Sequence, residues 1–207
     1  MCEDLAEDKV LVRLAMDEET AMRALRIAEK YDVVIDIYID GQAYTAADSM
    51  RLVQTHVPES FRPYFLKTRR LVEDRGRFLR QTGRGAEKFT ILFQDMAQRA
   101  AAWKEFEHTG LFELSGGIPE NIEVNAKGVD KGRALLALAE RLGLSRGQTM
   151  ACGDASNDLA MLRAAGLGVA MGNATPEAVA AADVQTDTNN NDGVAKAIRR
   201  WVLCEEV

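Results

Sequence analysis

Apolar and polar positions near the start of the 207-residue chain follow first a helical and then a strand-like period. Residues 17–30 combine an acidic first turn with apolar residues at helical spacing, which predicts an amphipathic helix. The β-branched and aromatic run at residues 33–39 predicts a strand, and Asp40-Gly41 is a favoured pair for a tight hairpin turn. Residues 43–45 are then expected to return as a second strand.

The rest of the first half predicts further short elements of both kinds. Residues 58–66 are expected to form a short helix, residues 89–94 a strand, and residues 96–108 a longer helix. The first half is therefore expected to mix hairpins and helices in an α+β arrangement.

The pattern changes after Ser115-Gly116-Gly117, where a boundary is predicted between a domain of residues 1–115 and one of residues 116–207. The second part is expected to begin with a strand at residues 122–124 and a helix at residues 131–142. Strands and helices then alternate, with strands at 148–152, 167–171 and 184–186 and helices at 156–165, 176–182 and 193–201. Such alternation predicts a doubly wound α/β sheet of parallel strands joined by crossover helices.

Composition narrows the class of partners. With a net charge of -6 and a pI near 5.1, the chain has no broad attraction for nucleic acid. No apolar run approaches the length of a membrane span, and the acidic start does not resemble a signal peptide, so a cytoplasmic location without membrane partners is expected. Three cysteines and two histidines show no spacing typical of metal ligands.

The chemistry is concentrated in Cys152-Gly153-Asp154-Ala155-Ser156-Asn157-Asp158, where a predicted strand gives way to a helix. Ligand sites of open α/β sheets gather at such strand ends. Gly153 permits a sharp turn, Asp154 offers a hard oxygen ligand to Mg²⁺, and the first helical turn presents unpaired N–H groups. A simple helix cap formed by Asp154 or Ser156 is the alternative interpretation of this segment.

Two other segments are candidates for the same site as this acidic turn. Lys131 opens a helix about one crossover unit earlier, where its ammonium could neutralise a phosphoryl group, although a lone lysine at a helix start is more often solvated. Asn173, in Met171-Gly172-Asn173-Ala174, follows another predicted strand at the same sheet edge. Taken singly, that segment is only a turn.

The order and spacing of KGVDKG, GDASND, GVAMGNA and NNNDGVAKAI resemble the haloacid dehalogenase superfamily in its Cof-type branch. The resemblance implies a Rossmann-like core with a type IIB cap, which the first half would form. It also implies Mg²⁺-dependent hydrolysis of small phosphate monoesters, such as sugar phosphates, through an aspartyl-phosphate. A small phosphorylated metabolite is therefore the expected partner.

The resemblance assigns roles to five residues. Lys131 would be the third-motif lysine and would contact phosphate, and Asp154 would ligate Mg²⁺. Asn157 and Asn173 would contact phosphate or substrate. Asp158 would be a catalytic residue that supports the metal or orients Lys131.

The family's first motif, DxDGT, which supplies the nucleophilic aspartate, does not occur among the 207 residues. The nearest string is VVIDIYIDG, in which Asp36 and Asp40 are four residues apart and no threonine follows, so it is predicted to be a cap strand and its turn. We therefore expect an incomplete HAD-like core that binds Mg²⁺ weakly and is inactive alone. Its exposed sheet edge is expected to favour self-association. The alternative is a non-catalytic relic of a phosphatase that acts as a binding or interaction protein.

Overall fold

The computed structural model describes residues 2–4 and 9–205, which fall into two compact units. The first unit comprises residues 13–129 and the second comprises residues 2–4, 9–12 and 130–205. The strands are, in chain order, β1 (Cys2–Asp4), β2 (Lys9–Val12), β3 (Val33–Ile39), β4 (Gln42–Ala46), β5 (Arg70–Val72), β6 (Lys88–Phe93), β7 (Phe112–Ser115), β8 (Asn121–Ala126), β9 (Met150–Gly153), β10 (Leu167–Ala170) and β11 (Val184–Gln185).

The α-helices of the described residues include most of those predicted from the periodicity. They are α1 (Glu18–Ala28), α2 (Val53–His56), α3 (Arg62–Thr68), α4 (Arg75–Thr82), α5 (Met96–His108), α6 (Lys131–Arg141), α7 (Leu159–Ala164), α8 (Pro176–Ala181) and α9 (Gly193–Trp201). Within this described part, no helix has the length and apolar character needed to cross a membrane.

A six-stranded sheet with the order β5-β4-β3-β6-β8-β7 organises the first unit. Every neighbouring pair is antiparallel except β4 and β5. The predicted hairpin is present: Asp40 and Gly41 both have positive φ, at 51° and 72°, which suits the tight turn between β3 and β4.

The two faces of this sheet have different neighbours because successive side chains of a strand point to opposite faces. Ile35, Ile37 and Ile91 belong to the main core, together with buried residues of α1 and α5. Val34 and Leu92 belong to a second cluster, formed with Phe65 of α3 and residues near α2. Both faces of the central strands therefore carry buried apolar residues, and β3 also carries the buried Asp36.

The second unit contains a parallel three-stranded sheet with the order β11-β10-β9. Helix α7 connects β9 to β10, and α8 connects β10 to β11, as expected for βαβ units. The strands β1 and β2 form a separate antiparallel pair in the same unit. The loops at residues 153–158, 171–175 and 186–192 follow the carboxyl ends of β9, β10 and β11.

The domain boundary predicted after Ser115 lies elsewhere in the structure. Strand β8 was expected to open the second domain, but it pairs with both β6 and β7 and so belongs to the six-stranded sheet. The first unit consequently ends at Val129, and residues 2–4 and 9–12, which were assigned to the first domain, group with the second unit. The reason is that pairing between strands, which joins residues far apart in sequence, determines which unit β8 belongs to. The glycines after Ser115 only form the turn between β7 and β8.

Candidate functional site

Lys131 is the first residue of α6, and local sequence explains why the helix begins there. Asp130 caps the helix by accepting a hydrogen bond from the N–H of Arg133 at 2.8 Å. Gly132 lets α6 approach α7 closely, since a Cβ atom at this position would lie 2.4 Å from the carbonyl oxygen of Ala160. Lys131 is thus fixed at the end of a helix that packs against the helix following the acidic turn.

Asp158 connects Lys131 to the acidic turn. Its Oδ1 accepts a hydrogen bond from Nζ of Lys131 at 2.6 Å, and its Oδ2 accepts from the backbone N–H groups of Asp154 at 3.0 Å and Ala155 at 3.2 Å. Gly153 is required beside it because a Cβ atom there would lie 2.5 Å from Cβ of Asp158. The carboxylate therefore closes the turn and holds the lysine at the same time.

The surroundings of Asp158 favour its ionised form. The side chain is 8% exposed, and this burial by itself raises the pKa of the carboxyl. The hydrogen bond and charge of Lys131, with the N–H groups of Asp154 and Ala155, outweigh burial and hold the pKa of Asp158 below its usual value. Lys131 is 48% exposed at the same time, so its ammonium can reach an anion.

Asp154 and Asn173 lie in neighbouring loops and contact each other. Asp154 follows β9 and is exposed, and its Oδ2 accepts a hydrogen bond from Nδ2 of Asn173 at 2.9 Å. The backbone carbonyl of Asp154 accepts from the N–H of Thr175 at 2.9 Å, which ties the loop after β10 to the same turn. Asn157 lies between Asp154 and Asp158, in the short 3-10 turn Ser156–Asp158.

The number of side chains that can act as metal ligands determines how a cation could be bound. In the part of the chain that the structure describes, no group of three or more His, Cys, Asp or Glu side chains could hold a metal ion. A carboxylate has about four lone-pair positions, and Mg²⁺ is commonly bound by one or two carboxylates together with water and substrate phosphate. Asp154 fits such a partial site, while Asp158 is engaged by Lys131 and the backbone.

The nearest string to a nucleophile motif has structural partners of its own. Asp36, at the centre of β3, is fully buried, and its Oδ2 accepts from Nε of Arg69 at 2.9 Å and lies 2.8 Å from Nη2. Burial raises the pKa of Asp36, and the charge of Arg69 offsets this only in part. Asp40 lies in the hairpin turn, 2.8 Å from Nη1 of Arg84. Both residues occupy a strand and its turn, as predicted.

Sequence reasoning thus selected residues that the fold brings together, but it missed their connections. Lys131, Asp154, Asp158 and Asn173 form one hydrogen-bonded chain, whereas their catalytic and binding roles stay predictions. The partner that was missed is Asn189, whose N–H donates to Oδ1 of Asn173 at 2.9 Å. The available signal was the NNND string that follows β11.

Comparison with known proteins gives a family match over nearly the whole chain. A family model described as haloacid dehalogenase-like hydrolase matches residues 1–198. The 5-amino-6-(5-phospho-D-ribitylamino)uracil phosphatase YcsE of Bacillus subtilis is 47% identical over 116 residues, which is 56% of this chain and 47% of the relative. The chain therefore matches less than half the length of that relative.

Solved structures agree on the fold. A haloacid dehalogenase-like hydrolase from B. subtilis superposes with a TM-score of 0.78 at 25% identity, covering 90% of this chain and 72% of the other. A sugar phosphatase of HAD subclass IIB gives a TM-score of 0.75 at 22% identity, over 95% of this chain and 71% of the other. The architecture is the α/β fold that these structures share.

Proposed function

Since the chain belongs to the haloacid dehalogenase-like hydrolases, we propose that its second unit carries the lysine and metal-ligand part of a phosphatase site for small phosphate monoesters. The observation that carries this proposal is the 2.6 Å contact between Lys131 and Asp158, whose carboxylate also closes the turn bearing Asp154. A cation-binding carboxylate and a fixed ammonium are thereby held at one end of a parallel sheet, where ligands of such folds bind.

Each residue has a distinct task in this proposal. Asp154 would hold Mg²⁺, which supplies charge neutralisation of a phosphoryl group when bound. Lys131 donates hydrogen bonds to the phosphoryl oxygens, and Asp158 holds the Lys131 ammonium in place. Asn157, in the same turn, provides an amide for the substrate. The activities for which two similar proteins are named, a phosphoribitylaminouracil phosphatase and a sugar phosphatase, support a small phosphorylated metabolite as the substrate class.

The same proposal assigns the first unit to the cap and the second to the core, and it places the protein in the cytoplasm. We further propose that these 207 residues alone do not turn over substrate, because they contain no DxDGT string and Asp36 is buried in β3, where it pairs with Arg69. Covalent phosphoryl transfer requires a positioned nucleophile.

Two measurements on the full chain test this function. Hydrolysis of p-nitrophenyl phosphate with Mg²⁺ should not exceed that of Asp154→Asn, and turnover abolished by that substitution would contradict the predicted inactivity. Inorganic phosphate should bind in the presence of Mg²⁺, as followed by ³¹P NMR. Replacing Lys131 with Met should weaken that binding about ten- to a hundredfold, since a charge-assisted hydrogen bond contributes about 1.5–3 kcal/mol.

The matched control is Arg141→Met, at the opposite end of α6, which should leave phosphate binding unchanged. Phosphate binding that is insensitive to Lys131→Met would refute the phosphate site. Absence of turnover together with Lys131-dependent binding is the outcome that supports the proposal.

A further inference from the structure

The side chain of Asn173 bridges the metal-ligand candidate Asp154 and the backbone of Asn189. Its Nδ2 donates to Oδ2 of Asp154 at 2.9 Å, and its Oδ1 accepts from the N–H of Asn189 at 2.9 Å. A backbone N–H can only donate, so the amide oxygen of Asn173 must face Asn189. The amide nitrogen is then obliged to face Asp154.

The loop that contains Asn189 is itself held in place. The N–H of Gly172 donates to the carbonyl of Asp187 at 3.0 Å, and Oδ2 of Asp187 accepts from Nζ of Lys196 of α9 at 2.5 Å. A Cβ atom on Gly172 would lie 2.7 Å from the backbone nitrogen of Thr188, so the two loops are in close contact. The N–H of Asn189 is therefore a donor with a fixed position.

Asp154 needs such a partner because its side chain is exposed. Its backbone is fixed by the bonds to Thr175 and Asp158, but these leave rotation of the carboxylate unrestrained. A side chain that is free to rotate loses conformational entropy when it binds an ion, and partners of a ligand reduce that cost by fixing its orientation.

We propose that Asn173 is a positioning residue that presents the carboxylate of Asp154 to a divalent cation in one orientation. This inference rests on the proposed function, in which Asp154 holds Mg²⁺, and it goes beyond the phosphate contact expected for Asn173 from the sequence. In effect, the loops after the three parallel strands act in series: Asn189 orients Asn173, and Asn173 orients Asp154.

The test is an Mg²⁺ titration of the full chain, followed by the backbone amide signals of residues 153–158 in ¹⁵N NMR. Asn173→Ala should raise the Kd for Mg²⁺ about tenfold or more, which is typical for loss of a partner of a metal ligand. The matched control, Asn190→Ala, removes an exposed asparagine of the loop that contains Asn189 and should change the Kd by no more than about twofold.

Each outcome has a separate meaning. An Asn173→Ala variant with the Kd of the unsubstituted chain would overturn the positioning role alone. If the unsubstituted chain shows no response to Mg²⁺ at residues 153–158, the metal role of Asp154 fails, and the positioning role fails with it.

A measurement on the unsubstituted chain covers the case in which Asn173→Ala does not fold. Mg²⁺ should shift the amide signal of Asn189 more than that of Asn190, because only the N–H of Asn189 donates to the side chain that contacts Asp154. Equal shifts at both positions would contradict the inference.

Discussion

At the scale of single residues, the contact between Lys131 and Asp158 holds the lysine in place and favours the ionised form of the aspartate. Asp158 is nearly buried, and burial alone would favour its protonated form. The hydrogen bond and charge of Lys131, with the N–H groups of Asp154 and Ala155, reverse that preference, and Lys131 remains half exposed to solvent. The charge of Lys131 is thus available to a ligand and also maintains the charge of its own partner.

Replacing Lys131 with Met should raise the pKa of Asp158 from its lowered value, because burial remains after the ammonium is lost and only the N–H groups of Asp154 and Ala155 still oppose it. In the unsubstituted chain the pKa of Asp158 is lowered on folding. Its ionisation therefore stabilises the fold above the pKa of the unfolded chain, and that stabilisation is lost as the pH falls through the lowered pKa. The variant should lose stability at pH 7 and little in strong acid.

We expect a loss of roughly 1 kcal/mol at pH 7, a small value because Lys131 is half exposed and partly screened by water. A ¹³C NMR titration of the Asp158 carboxyl and urea unfolding at both pH values measure the two effects. Arg141→Met serves as the control. An unchanged pKa of Asp158 in the Lys131 variant would contradict the proposed balance of burial and charge.

At the scale of secondary-structure elements, close packing of α6 on α7 positions Lys131 over the acidic turn. Gly132 makes this possible, since a Cβ atom there would lie 2.4 Å from the Ala160 carbonyl and 3.1 Å from Cβ of Ala164. The contact involves backbone atoms, which cannot move aside without displacing a whole helix.

Gly132→Ala should therefore destabilise the second unit by about 1–3 kcal/mol, the usual cost of overpacking. The gain in helix propensity from alanine, about 1 kcal/mol, offsets this in part. Gly147→Ala is a matched control, because a Cβ atom at Gly147 has no neighbour within 4 Å and its φ is not positive. Urea unfolding compares the stability of the variants. An unfolding midpoint of Gly132→Ala equal to that of the unsubstituted chain would show that α6 can shift without loss of stability.

At the scale of the whole molecule, the parallel sheet has an unpaired edge. Among the described residues, β9 pairs only with β10, and the other side of β9 has no strand beside it. Unpaired N–H and C=O groups of an edge strand are a template for further pairing. This geometry supports the proposal, already made from the sequence, of self-association through the sheet edge.

Sedimentation analysis should accordingly show a concentration-dependent oligomer. An exposed apolar stripe on α9, which includes Val194 and Ile198, is another surface through which the chain could associate. Ile198→Glu distinguishes association through α9 from association through β9, because a charge on α9 should leave association through β9 intact. A strictly monomeric chain, or an oligomer that Ile198→Glu dissociates, would contradict pairing through the edge.

Local patterns predicted the elements that have strong periodicity and clear ends. The bounds of β3, α5 and α9 agree with the structure, and those of α1 and α6 differ by at most two residues at an end. Strands β5 and β7 were missed because each is short and owes its existence to a neighbouring strand rather than to its own pattern. The misplaced domain boundary has the same cause.

The sequence by itself determined which residues are candidates for the site, since the order of KGVDKG, GDASND and GVAMGNA can be read without coordinates. Only the tertiary structure decided how they are connected. The contacts of Lys131 with Asp158, and of Asn173 with Asp154 and Asn189, join residues 16 to 27 positions apart. The contacts of Asn173 form because parallel strands bring successive loops to one sheet edge, and the contact of Lys131 forms because α6 packs on α7. Both arrangements depend on long-range packing rather than on local sequence.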